Sequence, residues 1–131
     1  MTALAGTQNF SLITQRMADE KDDKHESAKL AYNVFLDRLM AYVSQYLCKL
    51  LASVPLSEIR LVFAGGIGEH SPKLRADVLG KLGWLGVQIA ENNDTATGTV
   101  REISKGALKA YVVETDEEGW CAQLAREQFG F

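Results

Sequence analysis

The 131-residue sequence predicts an α/β fold, and the prediction rests on the order of its helix and strand patterns. A long helix pattern covers residues 27–53, and a short β-branched strand pattern follows at residues 59–64. A glycine-rich segment joins this strand to a second helix, and two further strand patterns lead to a terminal helix at residues 117–128. Helices that alternate with buried strands in this way are typical of α/β folds.

The composition excludes several classes of protein. Apolar residues make up 47% of the chain, charged residues 24%, and the net charge is -3, which is ordinary for one globular domain or part of one. No basic stripe is present, so we expect no nucleic-acid partner. No run approaches the ~18 apolar residues of a membrane span, and the first residues lack a signal or transit pattern. We therefore expect a cytoplasmic protein without a membrane partner.

Cysteine and histidine are sparse. Cys48 and Cys121 stand in no CxxC or Cys/His metal spacing, and we expect both to be free, buried thiols. His25 lies in the charge run DEKDDKHE, which predicts a solvated loop or helix start, so its side chain is expected in water. His70 lies in the glycine-rich segment, where it is placed to touch a ligand.

Two helices are predicted before the first strand. After a polar start with Gly6 as a turn residue, residues 11–18 form a short helix pattern. The second helix, of about 25 residues, would span roughly 37 Å and end before Pro55. Its broad apolar face predicts packing inside a domain. That face consists of Leu30, Val34, Tyr42, Tyr46 and Leu50, widened by Phe35, Leu39, Val43, Leu47 and Leu51.

The first predicted strand, Ile59 to Ala64, is almost wholly apolar, which predicts that both of its faces are covered. Four residues with three glycines follow it. Ser71 is a good N-cap and Pro72 suits the first helical position, so the next helix is expected to begin there. Gly83 lies where a glycine stop is expected for that helix.

The remaining pattern is strand, loop, strand and helix. Val87 to Ala90 predicts a short strand, residues 91–99 a polar loop, and Ala107 to Val113 another strand. The last helix is expected to bury an apolar face formed by Trp120, Cys121, Leu124 and Ala125.

The stretch VFAGGIGEHS, residues 62–71, is the first candidate for chemistry. Glycines after a buried strand let the backbone approach a ligand, and the following helix start offers free N–H groups to an anion or nucleotide. The stretch is neither a Walker A sequence nor GxGxxG. A plain strand-to-helix turn explains the same glycines, and both interpretations stay open on spacing alone.

The stretch Thr115-Asp116-Glu117-Glu118 is the second candidate. Carboxylates at a helix start complement the helix dipole, so the structural interpretation is helix capping, with Thr115 or Asp116 as the N-cap. The functional interpretation is a carboxylate that faces Mg²⁺ on a nucleotide, because Mg²⁺ commonly uses one or two carboxylates together with phosphates.

The order of these motifs resembles the C-terminal end of acetate kinases. Four segments are similar to that family: VFAGGIGEHSPKLRADVLGKLGWLGV, AYVVETDEEGWCAQLAR, the long helix LAYNVFLDRLMAYVSQY and the early segment ALAGTQNF. The resemblance implies that residues 1–131 are a partial C-terminal nucleotide-binding domain of an actin-like, sugar kinase-like (ribonuclease H-like) fold. It also implies phosphoryl transfer from ATP to acetate, giving acetyl phosphate and ADP, with Mg²⁺ as cofactor. A homodimer or association with a full-length kinase is implied as well.

Site residues carry over from the resemblance position by position. Glu117 matches the carboxylate that serves Mg²⁺. The residues that match the segment beneath the adenosine side of ATP or ADP are Gly66, Ile67, Gly68, Glu69 and His70.

Four positions depart from the family pattern. His70 stands where many members have Asn, and Asp116 replaces the common Asn before the two glutamates. In the early turn, Asn9 and Ser11 stand where many bacterial members have an acidic residue and an arginine. The lost guanidinium predicts an altered affinity for the nucleotide or an altered choice of phosphoryl donor.

The resemblance reaches only about the last third of a family member. The acetate pocket and the family's catalytic Asp, Arg and His are not among these residues, so we expect no turnover from this chain alone. Three hypotheses follow: a fragment of an acetate kinase, a non-catalytic nucleotide-binding or dimer-docking remnant, and a structural remnant without a ligand. The choice between acetate, propionate and butyrate is open because the acyl pocket is missing.

Overall fold

The computed structural model describes residues 2–93 and 99–130. The helices of this part are α1 (Thr2–Ala5), α2 (Phe10–Ala18), α3 (His25–Leu51), α4 (Gly65–His70), α5 (Pro72–Lys81) and α6 (Glu117–Phe129). Its strands are β1 (Arg60–Phe63), β2 (Val87–Ile89), β3 (Val100–Glu102), β4 (Ser104–Gly106) and β5 (Lys109–Val113). Single 3₁₀ turns lie at Leu56–Glu58, Gly83–Leu85 and Glu91–Asn93.

The described strands form a three-stranded sheet and a two-stranded ribbon. The sheet has the order β1-β5-β3, in which β1 is parallel to β5 and β3 is antiparallel to it. The register places Val62 opposite Tyr111, and β2 pairs with β4 in the ribbon. Because β1 and β5 are parallel, their carboxyl ends meet at one edge of the sheet, where α4 and α6 begin.

The core lies between the helices α2, α3 and α5 and one side of the sheet. Helix α3 contributes one buried stripe to this core, and strands β1 and β5 contribute further apolar side chains. The largest fully buried apolar side chains are Tyr32, Ile13, Leu79, Leu82, Ile103, Leu108, Val78 and Val112.

Helix α3 confirms the predicted long helix, but only part of the predicted apolar face is buried: Leu47 lies in the core, and Phe35, Leu39 and Val43 pack against it. The main stripe through Leu30, Val34 and Tyr46 is exposed, and Tyr42 keeps 59% of its surface open. The stripe that is buried contains Ala28, Ala31, Tyr32, Leu36 and Leu47. Apolar spacing shows where a helix can bury surface, but the described elements cover only this second stripe.

Three further burial predictions are wrong for the described part of the chain. Strand β1 is covered on one face only, since Phe63 is buried and Val62 is 51% exposed. Helix α6 confirms the predicted terminal helix, but it buries no residue, and Trp120 is 59% exposed. Cys48 and Cys121 are free thiols as expected, but both are exposed.

Local signals set several boundaries correctly. The Ser71 hydroxyl accepts a hydrogen bond from the Leu74 N–H, and Pro72 occupies the first turn of α5. The helix ends at Lys81, but the left-handed glycine is Gly86 after an intervening 3₁₀ turn, not the predicted Gly83. Gly6 has φ of 66°, which fits its predicted turn. The predicted loop of residues 91–99 lies partly outside the described residues.

The charge run before α3 forms turns, as predicted, but His25 is not solvated. Its side chain is 17% exposed and lies 3.5 Å from Glu26, so the prediction for this residue is wrong. No helix in residues 2–93 or 99–130 is long and apolar enough to cross a membrane.

A buried arginine joins α5 to the segment before it. Arg75 is 1% exposed, and its Nη1 donates to the carbonyl oxygens of Gly68 and Glu69, at 2.7 Å each. Its Nε and Nη2 donate to the side-chain and backbone oxygens of Asn93. The Asn93 amide in turn donates to the Pro72 carbonyl at 3.0 Å. Arg75 therefore holds the end of α4 against the start of α5.

Replacing this arginine tests how much the arrangement stabilises the fold. Arg75→Met leaves several buried carbonyl oxygens without a donor, so we expect the free energy of unfolding to fall by about 3 kcal/mol or more. Urea unfolding measures the loss. Arg126→Met, on the exposed side of α6, is the matched control and should stay within about 0.5 kcal/mol of the parent. Equal stability of the two variants would contradict the assignment.

Candidate functional site

The two predicted motifs meet at the carboxyl edge of the parallel strands. Helix α4 starts two residues after β1, and α6 starts four residues after β5. A cleft of about 330 Å³ lies between the two helix starts. Its lining residues are Gly65, Gly66, Thr115, Asp116, Glu117 and Glu118. The structure thus brings together Gly66 and Glu117, which are 51 positions apart in the chain.

The glycine segment is a short helix, whereas the sequence suggested a turn or a flat loop. Gly65 begins it with φ of 70°, a left-handed conformation that side chains other than glycine rarely adopt. This residue lets the chain reverse directly from β1 into α4. The following residues through His70 are helical, and Arg75 binds the carbonyl groups of the last turn.

The other two glycines of α4 have different surroundings. A Cβ atom on Gly68 would lie 3.1 Å from the backbone carbon of Phe63, so glycine allows α4 to pack closely on β1. A Cβ atom on Gly66 would meet nothing within 4 Å. Neither crowding nor backbone conformation requires glycine there, and the bare face of Gly66 opens toward the cleft. Gly66 is therefore available for close approach by a ligand.

A second cleft, of about 320 Å³, lies on the other side of α4. It separates the start of α2 from the glycine segment, and Ile67 and His70 face Asn9 and Ser11 across it. The remaining lining residues are Phe10, Thr14, Gly66 and Ser71. The early turn and the glycine segment, which the resemblance assigned to one nucleotide site, are therefore adjacent.

Asn9 has a structural task at this cleft. Its side-chain oxygen accepts a hydrogen bond from the Leu12 N–H at 3.1 Å, which caps the start of α2. The Ser11 carbonyl accepts a hydrogen bond from the Thr14 hydroxyl at 2.8 Å. The wall offers hydroxyl and amide groups, without the acidic and guanidinium groups of many bacterial members.

Asp116 serves as the N-cap of α6, which leaves its neighbour Glu117 unengaged. Oδ1 of Asp116 accepts a hydrogen bond from the Gly119 N–H at 2.8 Å, as the structural interpretation predicted. Within the described residues, the Glu117 carboxylate makes no hydrogen bond or ion pair and lines the cleft beside Gly66. Capping of α6 therefore falls to Asp116, and the Glu117 carboxylate is left facing the cleft.

The donor chemistry at this cleft fits Mg²⁺ only when a second ligand supplies oxygen atoms. Among residues 2–93 and 99–130, no group of three or more His, Cys, Asp or Glu side chains could hold a metal ion. Glu117 and Glu118 offer carboxylate oxygens, which Mg²⁺ prefers, and phosphate groups commonly complete such sites.

Glu69 faces neither cleft. Its Oε1 accepts three hydrogen bonds: from the Gly65 N–H at 2.9 Å, the Thr115 N–H at 3.0 Å and the Thr115 hydroxyl at 2.8 Å. The Thr115 hydroxyl is the largest influence that lowers the pKa of Glu69, followed by the two backbone donors and the nearby His70. No local pattern in the sequence predicts this contact, because Glu69 and Thr115 are 46 positions apart. Only the parallel pairing of β1 with β5 makes them neighbours.

The fold and the two clefts define an α/β protein with a crevice outside the carboxyl ends of its parallel strands, which is where ligands bind in open α/β sheets. Comparison with known sequences narrows this class. A model of the Acetokinase family matches residues 2–123, and the chain belongs to that family.

Individual relatives agree with the family. A protein described as a probable acetate kinase, from Cryptococcus neoformans var. neoformans serotype D, is 55% identical over 100% of this chain and 32% of its own length. The chain therefore spans about a third of the length of the curated relative.

Solved structures confirm the predicted actin-like α/β fold. The crystal structure of acetate kinase from Entamoeba histolytica matches 99% of this chain and 34% of that chain with a TM-score of 0.82, at 18% identity. A propionate kinase from Francisella tularensis matches 93% of this chain and 29% of that chain with a TM-score of 0.74, at 28% identity.

Substitutions at the two glycines should have opposite effects on stability. Gly68→Ala forces a Cβ against Phe63 and should lower the free energy of unfolding by about 1–3 kcal/mol. Gly66→Ala meets open space and should be neutral or stabilising by up to about 1 kcal/mol. Urea unfolding of both variants makes the comparison. A large loss at Gly66 would show that its bare face serves packing.

The lowered pKa of Glu69 predicts a pH dependence of stability. The carboxylate is favoured in the folded state, so its contribution is present above its ordinary value of 4.5 and is lost as pH falls through the lower folded pKa. The difference in unfolding midpoint between the parent and Glu69→Gln should be constant above about pH 5 and shrink in more acidic solution. Glu20→Gln, at an exposed position, should show no such convergence.

Proposed function

We propose that this chain forms the nucleotide half-site of an acetate kinase, in which ATP transfers a phosphoryl group to acetate and yields acetyl phosphate and ADP. The supporting observation is the pair of clefts on the two sides of α4. One is lined by Gly66, Ile67 and His70, and the other contains Gly66 and Glu117. A nucleotide that lies across Gly66 reaches both clefts with one molecule.

The first cleft suits the nucleoside end of ATP or ADP. Ile67 is partly exposed and offers an apolar surface, and the bare Cα of Gly66 permits close approach. His70, Asn9 and Ser11 surround this surface with polar groups that can select hydrogen-bonding edges. The differences at Asn9 and Ser11 support an altered donor preference, because no guanidinium reaches the nucleotide from this wall.

The second cleft suits the phosphate end. The residues at the start of α6 line this cleft, and the first backbone N–H groups of a helix favour anionic groups. Glu117 and Glu118 add negative charge, so phosphates need a cation between them and these carboxylates. Mg²⁺, when bound, neutralises phosphate charge during transfer. Glu117 is the residue that we assign to hold it.

The acceptor side of the reaction is not assigned to these residues. Phosphoryl transfer depends on positioning the acceptor in line and on stabilising the transferred group. The described clefts account for a nucleotide and a cation, and no residue here is assigned to acetate. We therefore propose that acetyl phosphate formation requires further polypeptide of the acetokinase family.

A non-catalytic docking role is the second candidate. The exposed stripe of α3, with Tyr42 and Tyr46, and the open face of α6, with Trp120 and Leu124, are apolar surfaces that favour association. The occupant would be a second copy of this chain or a full-length kinase. Light scattering after size-exclusion chromatography distinguishes association from a monomeric half-site.

Calorimetry with Mg-ATP tests the proposed function. We expect measurable binding to the 131-residue chain and a loss of about tenfold or more in affinity for Glu117→Ala, because the cation loses its protein carboxylate. Glu127→Ala, farther along the same helix, is the control and should bind as the parent does.

A coupled assay for acetyl phosphate completes the test, and we expect no turnover above a buffer blank for these residues alone. Absence of heat with Mg-ATP, or equal affinity of both glutamate variants, would contradict the proposed nucleotide site. Turnover by the 131-residue chain would contradict the assignment of the acceptor site to other polypeptide.

A further inference from the structure

One carboxylate oxygen joins the two strand ends that carry the site. Glu69 Oε1 accepts from the Gly65 N–H, at the start of α4, and from both the N–H and the hydroxyl of Thr115, just after β5. The two partners follow different strands, Gly65 after β1 and Thr115 after β5. Three donors on a single acceptor make this contact, which we call the Glu69–Thr115 latch.

Glu69 itself lines neither cleft, but the latch lies beside them. Gly65 and Thr115, its two partners, line the cleft that contains Glu117. Thr115 also precedes Asp116, which caps α6 and thereby fixes the helix turn that carries Glu117. A shift of Thr115 away from Gly65 would carry Glu117 away from Gly66.

We propose that Glu69 is a positioning residue that fixes the distance between the nucleotide-facing glycine segment and the cation-facing Glu117, and that it does not itself contact the nucleotide. This inference rests on the proposed function. It replaces the direct nucleotide contact that the family resemblance suggested for Glu69.

The chemistry of the side chain suits this task. An ionised carboxylate is purely an acceptor, so one oxygen can take three donors without competing hydrogens. Hydrogen bonds to a charged acceptor are roughly twice as strong as neutral ones. The low pKa of Glu69 keeps the acceptor ionised near neutral pH. A neutral amide at this position would keep the geometry and weaken each bond.

If Glu69 acts by positioning, it should influence only the Mg²⁺-dependent part of the affinity for ATP. ATP without metal contacts mainly the glycine segment, since its phosphates and the carboxylates of α6 repel each other. ATP with Mg²⁺ contacts the glycine segment and Glu117 at once, so its affinity depends on the distance between them. Loosening the latch should weaken the gain in affinity that Mg²⁺ provides and leave metal-free binding nearly unchanged.

Calorimetry on four variants tests this prediction, with ATP titrated once in EDTA and once in Mg²⁺. For Glu69→Ala and Thr115→Val we expect the Mg²⁺-dependent gain to fall by about threefold to tenfold, because a held geometry is lost. Affinity in EDTA should stay within about twofold of the parent. Thr115→Ser keeps the hydroxyl and should restore the gain, and Glu69→Gln should be intermediate.

Two results would overturn the proposal. An equal loss for Glu69→Ala with and without Mg²⁺ would show direct contact with the nucleotide. If Mg²⁺ raised the affinity of Thr115→Val for ATP as much as it does for the parent, the latch would not control the distance between the glycine segment and Glu117.

Amide hydrogen exchange without nucleotide gives an independent readout. In Glu69→Ala, exchange at the Gly65 and Thr115 amides should accelerate by about tenfold or more, because each loses its acceptor. The Gly119 amide, which donates to Asp116, is the internal control and should not change. Unchanged exchange at Gly65 and Thr115 would overturn the latch. Accelerated exchange without any ATP binding would support the latch and overturn both the proposed function and the positioning role.

Discussion

The arrangement of the site depends on the buried guanidinium of Arg75. A helix of six residues with three glycines is unstable on its own, because nucleation is costly and glycine disfavours helix. Its last carbonyls carry the negative end of the helix dipole. Arg75 donates to two of them and to Asn93, and this network offsets the cost of burying its charge. Without it, the last turn of the glycine segment would lose the donor that stabilises its carbonyl groups.

The same short helix is held at its start by Glu69. The carboxylate reaches back along one turn of α4 to the Gly65 N–H and across to Thr115. Helix α4 is thus held by the positive charge of Arg75 at its carboxyl end and by the negative charge of Glu69 at its amino end, which is the arrangement that the helix dipole favours. Gly66 lies between the two restraints, and its bare face can stay open because neither restraint depends on a side chain there.

Much of the order of elements could be predicted from local signals, and the site could be predicted only in part. Ser71 and Pro72 set the start of α5, and Asp116 caps α6, because caps depend on neighbours in sequence. The helical form of the glycine segment could not be predicted, since the contact with Arg75, on the next helix, outweighs the poor propensity of glycine. Strands β3 and β4 are short and largely polar, so their apolar pattern was too weak to indicate them. Apolar spacing identified the stripe through Tyr42 and the face of Trp120, but spacing does not say which neighbour covers a surface.

In the proposed site, the charges of the two clefts would divide the affinity for a nucleotide into two parts. On the α2 side, the wall is formed by Gly66, Ile67, His70 and hydroxyl and amide groups and contains no carboxylate, so a nucleotide would meet no like charge there. On the α6 side, Glu117 and Glu118 face the place where phosphates would lie, and the charges of like sign repel. A divalent cation reverses the sign of that second contribution, while the first is unaffected. Because Gly66 lines both clefts, one nucleotide could occupy them together, and in the proposed site a cation would be required to offset the repulsion from Glu117 and Glu118.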